Sequence, residues 1–314
     1  MNAREFIAKL PVPICGLSLG LASLDLFLTQ NYDIYLYSIF AIISAVIVIL
    51  FTLRMIFDHR GILKDIENPA VFGVLPTYTM TIMLLSTYVI DYIGDAAMVI
   101  WLGAVAASFV IMFFFVKKFV LKFEIGKVFP SWMIIFVGYV VASATSSAFG
   151  MEELGKILFW SGFICYLVLL PLIAYRTLKV RNIPESLIPQ ITIFAAPANL
   201  CIVGCLSAFG GAPPETVLLI LAALGVAVYV AVMAYLPVML RIKFYPSYAA
   251  FTFPLVISTV SFYNLGVHYE LLSNDVFVIL WVMTLIAAIL IVLYVLVRYV
   301  IYFRNMTKIT QVSR

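Results

Sequence analysis

The sequence predicts an all-α integral membrane protein with ten transmembrane helices, and three observations lead to this fold class. Hydrophobic residues make up 65% of the chain and charged residues only 11%, with a mean hydropathy of +1.15. A soluble domain carries roughly 25% charged residues and needs them to stay in solution. Ten apolar stretches have about the 20-residue length that a helix needs to cross a bilayer. The basic residues also alternate regularly between the connections.

The ten predicted spans leave no room for a folded soluble domain, because their connections are short. We therefore expect the whole chain, 1–314, to form a single transmembrane domain in contact with the lipid bilayer. The first apolar run resembles a secretory signal, but no small-residue cleavage site follows it, so we interpret it as a retained span. The predicted spans are 10–29, 34–57, 70–90, 96–116, 131–149, 154–175, 187–209, 216–240, 247–266 and 276–302.

The lysine and arginine residues predict the orientation of these spans. When the connections are assigned alternately to the two sides of the membrane, one side receives 18 of the 19 Lys and Arg residues, and Lys156 lies on the other. A wrong number of spans would disturb this alternation. By the positive-inside rule the basic side is cytoplasmic, so both termini are predicted to lie in the cytoplasm. The opposite side carries Asp33, Asp91, Asp95, Glu152, Glu153, Glu215, Glu270 and Asp275.

The spans are of two alternating kinds. The even-numbered spans are almost pure hydrocarbon, whereas the odd-numbered spans contain proline, glycine and hydroxyl residues. A carbonyl freed by proline must find a partner within the protein, so kinked polar helices belong inside. The simplest arrangement is five helical hairpins with the odd helices at the centre, lining a polar conduit. The alternative is that small and hydroxyl residues only allow close helix packing, and the two interpretations are compatible.

The predicted membrane interior lacks charge. No Lys, Arg, Asp, Glu or His falls near the middle of a span, where a charge costs at least about 2.5–3.5 kcal/mol and usually serves a proton or ion relay. The chain has no phosphate-binding loop, dinucleotide fingerprint or nucleophile with a nearby base. Cys201 and Cys205 share a helical face, but no histidine or carboxylate completes a ligand set. We therefore expect no enzyme activity, cofactor, metal or nucleic-acid partner. A conduit without a carboxylate ring favours anions over cations.

Five motifs follow one another on the odd spans, over nearly the whole chain. They are Cys15-Gly16-Leu17-Ser18-Leu19-Gly20-Leu21-Ala22, Asn68-Pro69 with Phe72 and Pro76, Phe129-Pro130-Ser131-Trp132 with Gly138, Ala196-Pro197, and Ala250-Phe251-Thr252-Phe253-Pro254. In this order and spacing they resemble the tellurite-resistance/dicarboxylate transporter family, which includes the slow-type anion channels of plant guard cells.

This resemblance implies a pseudo-five-fold ring of helical hairpins around a central pore, with one pore in each subunit of a homotrimer. It also implies that Phe253 occludes the pore as a gate, although the residue pattern alone gives only one of 25 phenylalanines. Gly16 is expected to leave space for that ring. Many relatives have a proline where this chain has Ser18, so Pro13 is expected to supply the first kink. The implied pore-lining or kink positions are Pro13, Gly16, Gly20, Phe72, Pro76, Gly138, Pro197 and Pro254.

The predicted function is an anion channel of the plasma (inner) membrane that passes small inorganic or carboxylate anions. The main alternative is a secondary transporter of C4-dicarboxylates or of oxyanions such as tellurite, because the family is named for both. Carriers commonly have inverted repeats and a midplane binding site, whereas this repeat is a parallel hairpin. A sensor or assembly scaffold is a third interpretation, supported only by the lack of obvious chemistry.

Overall fold

The computed structural model describes residues 3–32 and 38–312, which form helices and turns without a β-strand. Asp33, residues 34–37 at the start of the second predicted span, and Arg314 lie outside the described residues. The α-helices are α1 (Ala3–Ala8), α2 (Ile14–Asn31), α3 (Ser38–Phe57), α4 (His59–Asp65), α5 (Pro69–Phe72), α6 (Pro76–Ile93), α7 (Asp95–Phe115), α8 (Trp132–Val137), α9 (Val140–Thr145), α10 (Glu152–Tyr175), α11 (Ala196–Phe209), α12 (Glu215–Met239), α13 (Thr252–His268) and α14 (Asp275–Val312).

Short segments of other helical types extend some of these helices. Two π-helical turns, Val116–Val120 and Arg176–Val180, continue α7 and α10. The 3₁₀ segments are Ile125–Lys127, Ser146–Phe149, Glu185–Ala195, Pro246–Phe251 and Leu271–Ser273.

Within the described residues, eight helical segments are long and apolar enough to cross a membrane, so the chain is an all-α, multi-pass membrane protein. The other two predicted spans are less regular. The first yields α2, whose last turns carry Asp25, Gln30 and Asn31. The fifth is divided between α8, α9 and a 3₁₀ turn. The count of ten spans therefore stays a prediction.

Burial separates the helices into an inner and an outer set. In the most apolar part of α3, α7, α10, α12 and α14, only 22–39% of the residues are buried. In the segments that contain α6, α11 and α13, the buried share is 67–83%, and nearly all of α2 from Ile14 to Leu28 is buried as well. Because apolar side chains on the outer set face away from the protein, this set offers the surface for lipid. The alternation matches the predicted division between odd and even spans.

The inner helices share a second property, since each of them is interrupted or begins part-way along its span. Pro76 starts α6 after a turn at residues 73–75, and Gly138 separates α8 from α9. Pro197 and Pro254 lie in the first turns of α11 and α13, and a 3₁₀ segment precedes each helix. Proline fits a first turn without loss, whereas in a helix interior it removes a backbone hydrogen bond. Pro13 differs from the prediction of a kink, because it is the N-cap of α2 and marks the start of that helix.

The inner helices contact one another in cyclic order. α2 packs against α6, α6 against α9, α9 against α11, α11 against α13, and α13 against α2. Each of them also packs against the outer helix that follows it in the chain. Gly94 and Gly210 turn the chain between inner and outer helices with φ values of 51° and 54°, which favour glycine. The interior of the molecule is therefore enclosed by α2, α6, α9, α11 and α13.

Candidate functional site

The inner helices enclose two cavities of very different size. The wide cavity has a volume of about 640 Å³ and opens at the end where the acidic connections lie. Its polar rim is formed by Gln30, Asn31, Ser207, Asn264 and His268. The narrow cavity, toward the basic end, has a volume of about 40 Å³. The narrow cavity is lined almost entirely by apolar side chains, including Leu19, Met80, Met133, Ile134 and Val137.

Phe253 borders both cavities and is only 7% exposed. Its position on the first turn of α13, directly before Pro254, places the ring between the wide and the narrow cavity. Leu200 on α11 is the other side chain that borders both. Sequence reasoning missed Leu200. It lies three positions after Pro197 on the same face of α11, but its residue type does not distinguish it from its apolar neighbours.

The described residues that line the two cavities include no Asp, Glu, Lys or Arg. Hydroxyl groups border the wide cavity at Ser23, Thr87, Thr145, Ser147 and Ser207. A lining of this kind offers hydrogen-bond donors to a passing solute without holding it by a fixed charge.

A small polar cluster lies at the mouth of the wide cavity. His268 Nε2 is 2.9 Å from Glu215 Oε1, and the Tyr269 hydroxyl donates to Glu215 Oε2 at 2.9 Å. Burial and the hydrogen bond to Glu215 raise the pKa of Tyr269 to about 12, so the tyrosine stays protonated and keeps donating at neutral pH. The cluster ties α12 to the end of α13.

Four of the predicted pore residues border the narrow cavity: Gly16, Gly138, Pro197 and Pro254. Pro76 itself borders neither cavity, although its neighbours Val74 and Thr77 line the narrow one. Phe72 borders neither of the two cavities. Its ring packs against Phe115 and Phe119, at centroid distances of 5.4 and 6.1 Å.

The two glycines of α2 do not play the same part. A Cβ atom at Gly16 would meet Ala249 at 3.4 Å, an ordinary contact, so Ala249 and not the Phe253 ring is its nearest neighbour. A Cβ atom at Gly20 would lie 2.5 Å from the side chain of Thr252 and 3.1 Å from the backbone nitrogen of Phe253. Gly20 therefore allows the close approach of α2 to Thr252 and Phe253 at the start of α13.

Most hydroxyl groups of the inner helices form hydrogen bonds with the same helix or with a neighbouring one. Ser18 Oγ lies 2.8 Å from Ser44 Oγ, and Thr79 Oγ1 lies 2.6 Å from Ser108 Oγ. Thr252 Oγ1 donates to the Gly16 carbonyl at 3.0 Å. The packing alternative explains these residues. Of the serine and threonine residues on the odd-numbered predicted spans, those that border a cavity are Ser23, Thr77, Thr87, Thr145, Ser147 and Ser207.

Asn199 joins inner helices to one another by hydrogen bonds, and its substitution is a first test of this packing. Its side chain donates to the Ala195 carbonyl at 2.7 Å and to Ser258 Oγ at 2.9 Å, and accepts from Ser261 at 2.5 Å. We expect Asn199→Ala to lower the free energy of unfolding by about 1–2 kcal/mol, because three buried hydrogen bonds are lost, two of them to α13. Thermal unfolding in detergent measures this. Asn264→Ala, at the open rim, is the control, and an equal loss in both variants would contradict the assignment.

Together these features describe a helical membrane protein whose inner helices enclose two cavities separated by an aromatic side chain. A model of the voltage-dependent anion channel family, SLAC1, matches residues 9–300, which is nearly the whole chain. The chain belongs to this family, which confirms the resemblance seen in its motifs. It is also 24% identical over 184 residues to an uncharacterized transporter of Methanocaldococcus jannaschii, with 52% of each chain covered. The chain thus spans about half the length of that relative.

Proposed function

We propose that this protein is an anion channel whose central pore is occluded by Phe253. The observation that carries the proposal is the position of this ring between the wide and the narrow cavity. A phenyl ring across a narrow uncharged passage blocks ions by steric exclusion and by excluding water. The permeating species would be small inorganic or carboxylate anions.

The proposed architecture is a pseudo-five-fold ring of five hairpins with ten membrane crossings. The cyclic contacts of α2, α6, α9, α11 and α13 support it, as do the interruptions at similar positions in the inner helices. The proposal includes both termini in the cytoplasm, on the basis of the basic connections. It also includes a location in the plasma (inner) membrane and a homotrimer with one pore per subunit, which rest on the family resemblance.

Two features favour anions as the transported species. The described lining has no carboxylate ring of the kind that cation channels use. The first turns of α2, α6, α11 and α13 also contribute Gly16, Thr77, Pro197 and Pro254 to the wall of the narrow cavity. The N-terminal end of a helix carries a partial positive charge, so these helix starts make the potential in the passage more positive.

A secondary transporter of C4-dicarboxylates or of oxyanions such as tellurite is the second candidate. It is favoured by the shape of the wide cavity, which is open at one end and closed at Phe253, as expected of a binding chamber in one state of an alternating cycle. The name of the archaeal relative, a transporter, is compatible with either mechanism.

Reconstitution distinguishes the two candidates. Because the wild-type pore is occluded, the test uses purified Phe253→Ala protein in a planar bilayer under a potassium chloride gradient. We expect its current to reverse near the Nernst potential of chloride. This follows from an uncharged lining without carboxylates. A reversal potential near that of potassium would contradict the proposal. Saturable, proton-dependent uptake of succinate into vesicles, without such a current, would establish the carrier instead.

A further inference from the structure

An outward-facing crevice at the basic end of the molecule lies apart from both internal cavities. It has a volume of about 560 Å³ and runs between α4, the junction of α5 and α6, and α7. Its walls are apolar and include Leu63, Leu75, Ile111 and Phe114. Leu63 and Phe114 are 58% and 54% exposed. A crevice with such walls, in a membrane protein, is filled by hydrocarbon rather than by water.

Two exposed lysines stand at the rim of this crevice. Lys117 and Lys118 belong to its lining and lie on the π-helical turn that follows α7. Lys118 Nζ donates to the Ile66 carbonyl at 3.2 Å, which fixes the ammonium group over the crevice. An ammonium group has three donors, so two remain for another acceptor.

The two lysines are not neutralised by the protein in the part of the chain that the structure describes. No carboxylate there lies within 4.0 Å of either ammonium group. The neighbouring Asp65 is held by Arg54, whose Nη2 lies 2.6 Å from Asp65 Oδ2. Glu67 is exposed and makes no ion pair with either lysine. The rim therefore offers two positive charges beside an apolar slot.

We infer that this crevice, formed by the apolar walls and the Lys117–Lys118 pair, binds an anionic phospholipid. An acyl chain occupies the slot, and the phosphate of the headgroup accepts hydrogen bonds from the two ammonium groups. Lysines at this depth bind anionic headgroups, whereas they are depleted from the cores of protein–protein interfaces, where burying their charge is costly. A second copy of the chain is therefore the less favoured occupant. The inference does not depend on the transported solute.

Native mass spectrometry of the purified full-length protein tests the site. The probes are phosphatidylglycerol and phosphatidylcholine with identical acyl chains, added to protein in a neutral detergent. We expect the wild-type protein to retain more phosphatidylglycerol than phosphatidylcholine. The double variant Lys117→Gln/Lys118→Gln should reduce that preference roughly tenfold, because each lysine near a headgroup contributes a several-fold gain in affinity. Lys179→Gln/Lys243→Gln removes two exposed lysines outside the crevice and should leave the preference unchanged.

A second variant tests the slot itself. Ile111→Trp fills the crevice without removing charge, so we expect it to lower the retention of both lipids. Three results would overturn the proposal. These are equal retention of the two lipids by wild-type protein, an equal loss in the two lysine double variants, and a change from oligomer to monomer in Ile111→Trp, which would make the crevice an interface between copies.

Discussion

Phe253→Ala should raise the anion current across a voltage-clamped bilayer at least about tenfold. Phe253 is the aromatic side chain that borders both the wide and the narrow cavity. Truncating it to a methyl group joins the two cavities and removes an apolar surface that excludes water. A tenfold gain requires the barrier to fall by only about 1.4 kcal/mol. The measurement is the current per reconstituted protein at fixed chloride concentration.

A second phenylalanine on the same helix provides the control. Phe262 packs against Tyr229 at a centroid distance of 5.3 Å and borders neither cavity. Phe262→Ala should leave the current at the wild-type level. If Phe253→Ala also leaves it unchanged while the protein remains folded, the gate assignment is wrong. A matching rise in both variants would point to general loosening of the helices instead.

The narrow cavity limits how far one substitution can open the pathway. This cavity lies beyond Phe253, has a volume of about 40 Å³ and is lined by residues such as Leu19 and Met80. Leu200 also remains at the junction of the two cavities. The expected current in Phe253→Ala is therefore below that of a fully open pore. One ring can occlude a pore, whereas several helices determine its width.

The fold class could be predicted from the sequence because two independent patterns agree on it. Hydropathy locates the apolar stretches, and the alternation of basic residues assigns the connections between them to the two sides of the membrane. The interruptions of the inner helices were also predictable, since Pro76, Gly138, Pro197 and Pro254 have local backbone effects. Pro13 was expected to kink the first helix and stands instead at its N-cap, because a proline just inside a predicted span can either kink a helix or begin one.

The site was less predictable, because its geometry depends on which face of a helix meets which neighbour. Ser18 and Thr252 are polar residues on inner helices, yet both form hydrogen bonds with neighbouring helices and line neither cavity. Phe72 lies close in sequence to Pro76 but packs outward against Phe115. Leu200 was missed because a leucine among apolar residues carries no chemical signal. Side-chain direction around a helix follows from tertiary packing, which sequence spacing alone does not specify.

Gly20→Ala should lower the free energy of unfolding by about 1–3 kcal/mol, the usual cost of forcing an extra carbon into a tightly packed site. The added Cβ atom would lie 2.5 Å from Thr252 and 3.1 Å from the backbone nitrogen of Phe253. Relief of this overlap requires α13 to move away from α2. That movement would strain the hydrogen bond from Thr252 to the Gly16 carbonyl and displace Phe253. Thermal unfolding in detergent and chloride current, measured on the same preparation, report both effects.

The other glycines of the membrane region supply the matched series. Gly103→Ala, on the exposed face of α7, introduces a Cβ atom with nothing within 4 Å. It should be neutral or stabilising by up to about 1 kcal/mol, because alanine favours the helix. In Gly16→Ala the added Cβ atom would lie 3.4 Å from Ala249. The free energy of unfolding of this variant should lie between those of Gly20→Ala and Gly103→Ala. A Gly20→Ala variant as stable as Gly103→Ala would show that α2 and α13 have room to separate. In that case Gly20 would not hold Phe253 in place.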